Sequence, residues 1–244
     1  SYQWRVKKQL AGASEVDEEI TGATGQTFRI PADLPVGTYR YYCRVTCGSD
    51  SIDSAAVTFT VQAGLYGVTV NGTETLYADL SAALDAIEAA VEKATGATDI
   101  TFKLRASVKN NAAVRAFSAG NYPFHLTVDL NGHALGKYGT TTWLNTRDQC
   151  CIGVSGENAK LTVTDPSQEG NGELHGGFSA ANGAVLEMTG GKCAYIYIES
   201  GARGFVKGGT CGMRAYIGNA DASEGNAGTS CEVQGGLLSS IAVY

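Results

Sequence analysis

HLTVDLNGHAL, His125 to Leu135, decides how the chain is read. Leu126 and Val128 point to one side of an extended strand, while Thr127 and Asp129 point to the other. The same two-column core returns in KLTVTDP from Lys160, VLEMTGGKC from Val185, RGFVKGGTC from Arg203 and SCEVQGGLL from Ser230. The first column reads Leu126, Leu161, Leu186, Gly204, Cys231, and the second reads Val128, Val163, Met188, Val206, Val233. Intervals between turns are 35, 25, 18 and 27 residues, and the last three turns share paired glycines at Gly190-Gly191, Gly208-Gly209 and Gly235-Gly236. Two inward columns, one outward residue between them and a loop of variable length describe a parallel β-solenoid. Its coils stack about 4.8 Å apart and bury their inward residues on one another.

Upstream, GVTVNGTETLYADLSAALDAIEAAVEKATGATDITFKL reads as strand, Asn71-Gly72 turn, strand, helix, glycine stop and strand. A helix over about 79–95 puts Leu80, Leu84, Ile87 and Val91 on one face. Asp79 or Ser81 can cap its start, and Gly96 can end it in the left-handed conformation. That single apolar stripe can cover the first coil, ITFKL, and hide an open sheet edge. The solenoid domain is placed at 64–244.

Residues 1–63 alternate differently. Tyr39, Tyr41, Cys43 and Val45 share one face of a strand, with Arg40, Tyr42, Arg44 and Thr46 on the other. SYQWRV and VTFTV (Val57–Val61) supply further strands. TFRIPADLPVGTYRYY reads as a strand, a proline-bounded corner and a return strand, with Gly37 and Tyr39 placed as in a tyrosine corner. YQW, IPADLPVGTYRYYCRVT and AAVTFTV together resemble the Ig-like modules of large surface proteins of Gram-positive gut bacteria. Such modules begin with two strands ahead of YQW, so the resemblance implies a sandwich whose first two strands are missing here. Cys43 and Cys47 are about 13 Å apart in an extended strand, beyond disulfide reach, and Cys43 is expected free and buried.

VNG, the alanine-rich helix, VDLNGH and LTVTD likewise resemble right-handed β-helices of the pectate-lyase-like superfamily, particularly versions in bacterial surface proteins. The fold class expected is therefore all-β: a truncated Ig-like sandwich, then a right-handed β-helix with an N-terminal capping helix. The resemblance implies an extracellular location on the bacterial cell surface. It also implies an adhesin-like or structural role, with a glycan or a host or cell-surface protein as partner. A polysaccharide lyase or glycoside hydrolase of the same superfamily is the competing implication, and a filament subunit associating through open solenoid or sandwich ends is a third.

Composition narrows these. The 244 residues carry a net charge of -6 with only 17% charged side chains, so no nucleic-acid face or polybasic membrane patch is expected. Glycine at 32 and proline at 4 indicate many short strands. No apolar run is long enough to span a membrane, and SYQWRVKK lacks the core of a secretion signal, so any export signal or anchor is expected outside this chain. Seven cysteines without a CxxC pair argue against zinc, and no cofactor is expected.

Enzymes of the superfamily gather acidic residues on the outward face of adjacent coils, for calcium or for acid and base roles. The outward columns here read Thr127, Thr162, Glu187, Phe205, Glu232 and Asp129, Thr164, Thr189, Lys207, Gln234. Asp129, Glu187 and Glu232 are the carboxylate candidates, yet no two sit on adjacent coils, and no catalytic or metal residue is assigned. Any catalytic carboxylates would have to come from the loops at 137–152 or 219–228. Tyr195, Tyr197 and Tyr216 cluster in the last coils with Tyr244 and can stack on sugar rings or simply line a two-faced sheet. Cys193 and Cys211 share a repeat position with Leu238 next in line, which fits either an inter-coil disulfide or plain core. At the far end SSIAVY supplies no cap, so apolar surface is expected exposed there.

Overall fold

The computed structural model describes residues 1–10, 13–31, 34–61, 64–109, 114–136, 151–218 and 228–244. Among the described residues the chain is all-β apart from one helix, Leu80–Glu92, and it divides into two compact units, Ser1–Ala63 and Gly64–Tyr244.

Among the described residues, unit 1 is one antiparallel sheet in the order Val16–Glu19, Tyr2–Leu10, Gly37–Cys47, Asp50–Asp53, with Val57–Val61 also on Gly37–Cys47. TFRI, expected as a strand, has no strand structure. The acidic Val16–Glu19 pairs instead, because Arg5 meets Asp17 and Glu19 and Lys8 meets Glu18 across it. One face packs an aromatic stack: Trp4, Phe28, Tyr41 and Phe59 follow at 5.9, 5.7 and 5.8 Å between ring centroids. Tyr39 is 2% exposed and its hydroxyl donates to the Pro35 carbonyl at 2.6 Å, the hydrogen bond of a tyrosine corner. Tyr42, on the opposite face, is buried too, because its hydroxyl donates to Asp17 and accepts from Arg5 while Lys7 lies over its ring. Cys43 is buried and free, and Cys47 is exposed and free.

Unit 2 opens on an antiparallel hairpin, Tyr66–Val70 and Thr73–Tyr77, turning through Asn71 (φ 47°) and Gly72 (φ 86°). Its first strand pairs antiparallel with Thr98–Leu104. From there every added strand is parallel: Phe124–Asp129, Ala159–Thr164, Val185–Met188, Arg203–Val206 and Ser230–Val233 follow in one sheet. Between these strands the chain visits a second sheet of nine strands, again paired in parallel one passage to the next. Its longer strands are broken by register shifts after Leu174 and Cys193, so each passage has a short limb and a long limb.

The register stacks like residues. Ile100, Leu126, Leu161, Leu186, Gly204 and Cys231 are successive partners, as are Phe102, Val128, Val163, Met188, Val206 and Val233. The second sheet adds Val108, Leu135, Leu174, Cys193, Cys211 and Leu238 on the short limb. Ile152, Phe178, Ile196, Ala215 and Ile241 form a fourth column, and Phe117, Val154, Ala180, Ile198, Ile217 and Val243 a fifth. Apart from Gly204 and the exposed Val233, Ile241 and Val243, these residues merge into one core cluster, which the helix joins through Leu80, Ala83, Leu84, Ile87 and Val91. Where the first column reaches Gly204, Ile198 and Cys231 fill the space a side chain would take.

Asp79 caps the helix, accepting from the Ala82 amide at 2.8 Å. Gly96 does not take the left-handed conformation expected of it; the helix closes earlier, at Lys93, whose amide bonds to the Ala89 and Val91 carbonyls. Arg115, at the head of the fourth column, turns to the helix instead and pairs with Asp85 (2.7 Å) and Glu88.

The paired glycines make a corner where backbones stack without side chains. A Cβ on Gly208 would lie 2.4 Å from the Thr189 carbonyl oxygen, and Gly209 takes φ 82° with a Cβ position 2.5 Å from the Gly191 oxygen. We expect Gly209→Ala to cost about 2–3 kcal/mol in urea unfolding, through left-handed strain plus backbone displacement. Gly96→Ala should change stability by no more than about 0.5 kcal/mol, since its conformation is ordinary and its surroundings open.

Candidate functional site

On the outward face of the first sheet of unit 2, residues between the inward columns form columns of their own. Thr69, Thr101, Thr127 and Thr162 are successive partners, each half-buried, and Glu187, Phe205 and Glu232 continue the line. Each hydroxyl donates one hydrogen bond and accepts others, at the spacing of the strands, about 4.8 Å. One side of this row is flanked by Asp99, His125 and Lys160, the other by Lys103, Asp129 and Thr164.

The carboxylates in this face are all engaged. Glu187 lies between Lys160 (3.0 Å) and Lys207 (2.6 Å) with its side chain 18% exposed. The hydrogen bonds from these two ammonium groups hold its carboxyl below its ordinary 4.5. Asp129 accepts from the Asn131 amide at 2.9 Å and pairs with Lys103 at 3.3 Å, so it organises the Asn131-Gly132 turn. Glu232 is exposed and accepts from Gln234 at 2.9 Å. Phe205 separates Glu187 from Glu232, as the alignment of coils requires. A general acid needs a raised pKa, and Glu187 is driven the other way.

His125 sits at the rim of a groove of about 320 Å³, with Asp99, Pro123, Glu157, Asn158 and Lys160 among its lining. Its Nε2 lies 2.7 Å from the Thr162 hydroxyl and its Nδ1 3.8 Å from Asp99. Burial, then the Lys160 charge, lower its pKa below 6.5, so the ring is neutral at pH 7 and fixes the Thr162 hydroxyl as donor or acceptor. Among the described residues no three His, Cys, Asp or Glu side chains converge as a metal would require. The loops named as an alternative source of carboxylates lie, over 137–150 and 219–227, outside the described residues, as does Cys150.

Tyr195 and Tyr197 line the sheet rather than offer sugar-stacking faces: they are 4% and 9% exposed and pack with Cys151 and Ala194 in a second apolar cluster. Tyr197 stacks on Tyr216 at 5.1 Å, and Tyr216 on Tyr244 at 6.4 Å, both within 3° of parallel. The tyrosines thus form a ladder across strands, with Arg214 over Tyr216 and Tyr244 half-exposed at its end. Cys193 and Cys211 are direct partners on adjacent strands, both buried and both free thiols; they line the interior with Leu174 and Leu238.

One polar residue escaped the sequence reading. Asp165 accepts from the Gly132 amide (2.8 Å), the Gly172 amide (2.6 Å) and the Ser167 hydroxyl (2.7 Å), tying turns of neighbouring coils together. Burial opposes its ionisation, but the Ser167, Gly172 and Gly132 hydrogen bonds outweigh it and hold the carboxyl below 3.8. DP before a polar loop signalled only a turn.

Comparison with protein-family models, with curated proteins and with solved structures gave no match to the chain.

The folded pKa values of Asp165 and Glu187 lie below their unfolded ones, so their stabilisation is present above about pH 4.5 and lost as pH falls through the lowered values. We expect Asp165→Asn to lose about 2 kcal/mol at pH 7 and Glu187→Gln about 1 kcal/mol. Both variants should show a shallower decline of stability below pH 4.5 than the parent, read by urea titration at stepped pH.

Proposed function

We propose that this chain is a non-catalytic segment of an extracellular bacterial surface protein, an Ig-like spacer module followed by a right-handed β-helix whose outward threonine face binds glycan. The Ig-like reading is supported by the tyrosine corner at Tyr39 and the antiparallel sheet around Gly37–Cys47. The β-helix reading is supported by five inward columns in continuous parallel register, and its hand follows from the rule for parallel crossovers. The helix Leu80–Glu92 serves as its cap.

The observation that carries the functional reading is that each outward carboxylate candidate already has a partner, Asp129 and Glu187 in ion pairs and the exposed Glu232 in a hydrogen bond from the Gln234 side chain, beside an uninterrupted row of four threonine hydroxyls. A row of neutral donors and acceptors on a rigid sheet matches the repeating hydroxyls of an extended polysaccharide, and it contributes no group to bond cleavage. Such a role is adhesin-like: the ligand belongs to a host or neighbouring cell surface. No helix among the described residues is long and apolar enough to cross a membrane.

The test uses the chain with immobilised neutral and uronate polysaccharides. Binding without product release is expected, and Thr127→Val with Thr162→Val should weaken it at least about tenfold by leaving ligand hydroxyls unpaired. Calcium-dependent elimination on uronate polymers, abolished by Asp129→Asn, would overturn the reading in favour of a lyase.

A further inference from the structure

The third inward column of unit 2 changes character midway. It runs Val108, Leu135, Leu174, Cys193, Cys211 and Leu238, so two thiols stand in succession in a line otherwise filled by branched apolar side chains. Cys193 and Cys211 are direct partners on the adjacent parallel strands Lys192–Ile198 and Thr210–Ile217. Among the described residues no other two cysteines are register partners. Cys43 pairs with Trp4, Cys47 with Asp50 and Cys231 with Gly204, while Cys151 lies between Val114 and Gly177.

Register partners on parallel strands hold their Cα atoms about 4.8 Å apart with side chains on the same face, inside the roughly 4.4–6.8 Å that a disulfide spans. The backbone brings the pair closer to that geometry. From Cys193 to Tyr195 one strand takes two steps while its partner takes three, from Cys211 to Arg214, which makes a β-bulge at Gly212 and Met213. Such an irregularity re-aims the side chain beside it. The Cys211 Sγ donates to the Ala194 carbonyl at 3.4 Å, so it is turned toward the strand that carries Cys193. The Cys193 thiol in turn donates to the Cys211 sulfur, which draws Cys211 below its ordinary 9.0 and, together with burial, pushes Cys193 above it.

We propose that Cys193 and Cys211 are a cross-linking site, closing to an inter-strand disulfide when the chain folds in oxidising surroundings. The reaction is thiol–disulfide exchange with a small disulfide such as oxidised glutathione. The Cys211 thiolate attacks one glutathione sulfur and releases the first glutathione thiolate. The Cys193 thiolate then attacks the Cys211 Sγ, forms the Cys193–Cys211 bond and releases the second. The two protons given up by the cysteines pass to the two glutathiones. Both thiols are buried, 3% and 0% exposed, so the oxidant reaches them while the strands assemble, and the finished bond is shielded from reductants. Closure joins residues 18 apart in sequence and removes conformational freedom from the unfolded chain. The bond fastens one strand to the next inside the core and stands whether or not the threonine row binds glycan.

The test refolds the 244-residue chain from urea in mixed reduced and oxidised glutathione and, in parallel, in excess reductant, then unfolds and alkylates both samples. Of the seven cysteines, five should take the label after oxidative refolding and all seven after reductive refolding, with peptide mapping joining Cys193 to Cys211. The urea midpoint of the oxidised chain should lie about 1 M above that of the reduced chain. Cys193→Ala should show the same midpoint under both refolding conditions, a comparison made within the variant and therefore independent of its own packing loss. The peptide map of the parent decides the pairing even where that variant does not fold. Seven labelled cysteines after oxidative refolding, a bond joining a different pair in its place, a midpoint that does not rise with the bond, or a midpoint difference that persists in Cys193→Ala would each overturn the proposal. Polysaccharide binding, measured on the oxidised and reduced chains alike, bears on the functional reading and not on the disulfide.

Discussion

Each strand of unit 2 depends on the next for its burial. A single passage such as Val185–Met188 buries two side chains inward and cannot form a core alone; Leu186 and Met188 reach full burial because Leu161 and Val163 lie beneath and Gly204 and Val206 above. Burial of a leucine-sized side chain is worth roughly 1.5–3 kcal/mol. A coil therefore gains from its neighbours on both sides, and the helix, which joins the core through Leu80, Leu84, Ile87 and Val91, supplies that burial where the antiparallel hairpin begins the sheet.

That constraint also explains which parts of the fold were readable. The first two inward columns stand out because LTV, LTV, LEM, GFV and CEV keep a strict period of two, and the last three are followed by paired glycines. Of the remaining three columns only part of one was recognised, in the shared repeat position of Cys193, Cys211 and Leu238. In KCAYIYI (Lys192–Ile198) the register shift between Cys193 and Tyr195 resets the phase, so inward Cys193, Ile196 and Ile198 obey no single alternation. In ELHGGFSAA (Glu173–Ala181) inward Leu174, Phe178 and Ala180 keep even spacing, but Gly176 and Gly177 interrupt the apolar run. Val16–Glu19 was equally opaque, since an acidic strand is stable only through the cations that Tyr2–Leu10 sets opposite it.

The candidate site divides along the same line. Positions in the threonine and carboxylate columns were legible because outward residues inherit the register of the inward ones. What those residues do was not, because it depends on partners brought from other coils. Glu187 became an ion-pair acceptor through Lys160 and Lys207, 27 residues before and 20 after it. Tyr195 and Tyr197, for which sugar stacking and a two-faced sheet were both open readings, lie buried against Cys151 and Ala194. Stacking between tyrosines consumes the ring faces a sugar would need, and this ordering of aromatics is a property of parallel register rather than of the local sequence.

The coils tolerate different lengths because core and corner make separate demands. Leu186 to Gly204 takes 18 residues and contains only strands, tight turns and the Gly190-Gly191 corner, whereas Leu126 to Leu161 takes 35 and returns to the same register. Additional residues must therefore leave and rejoin between strands, where they disturb neither the inward columns nor the glycine corners. Loop closure grows costlier only slowly with length, so extra chain there is tolerated while a substitution at Gly209 is not.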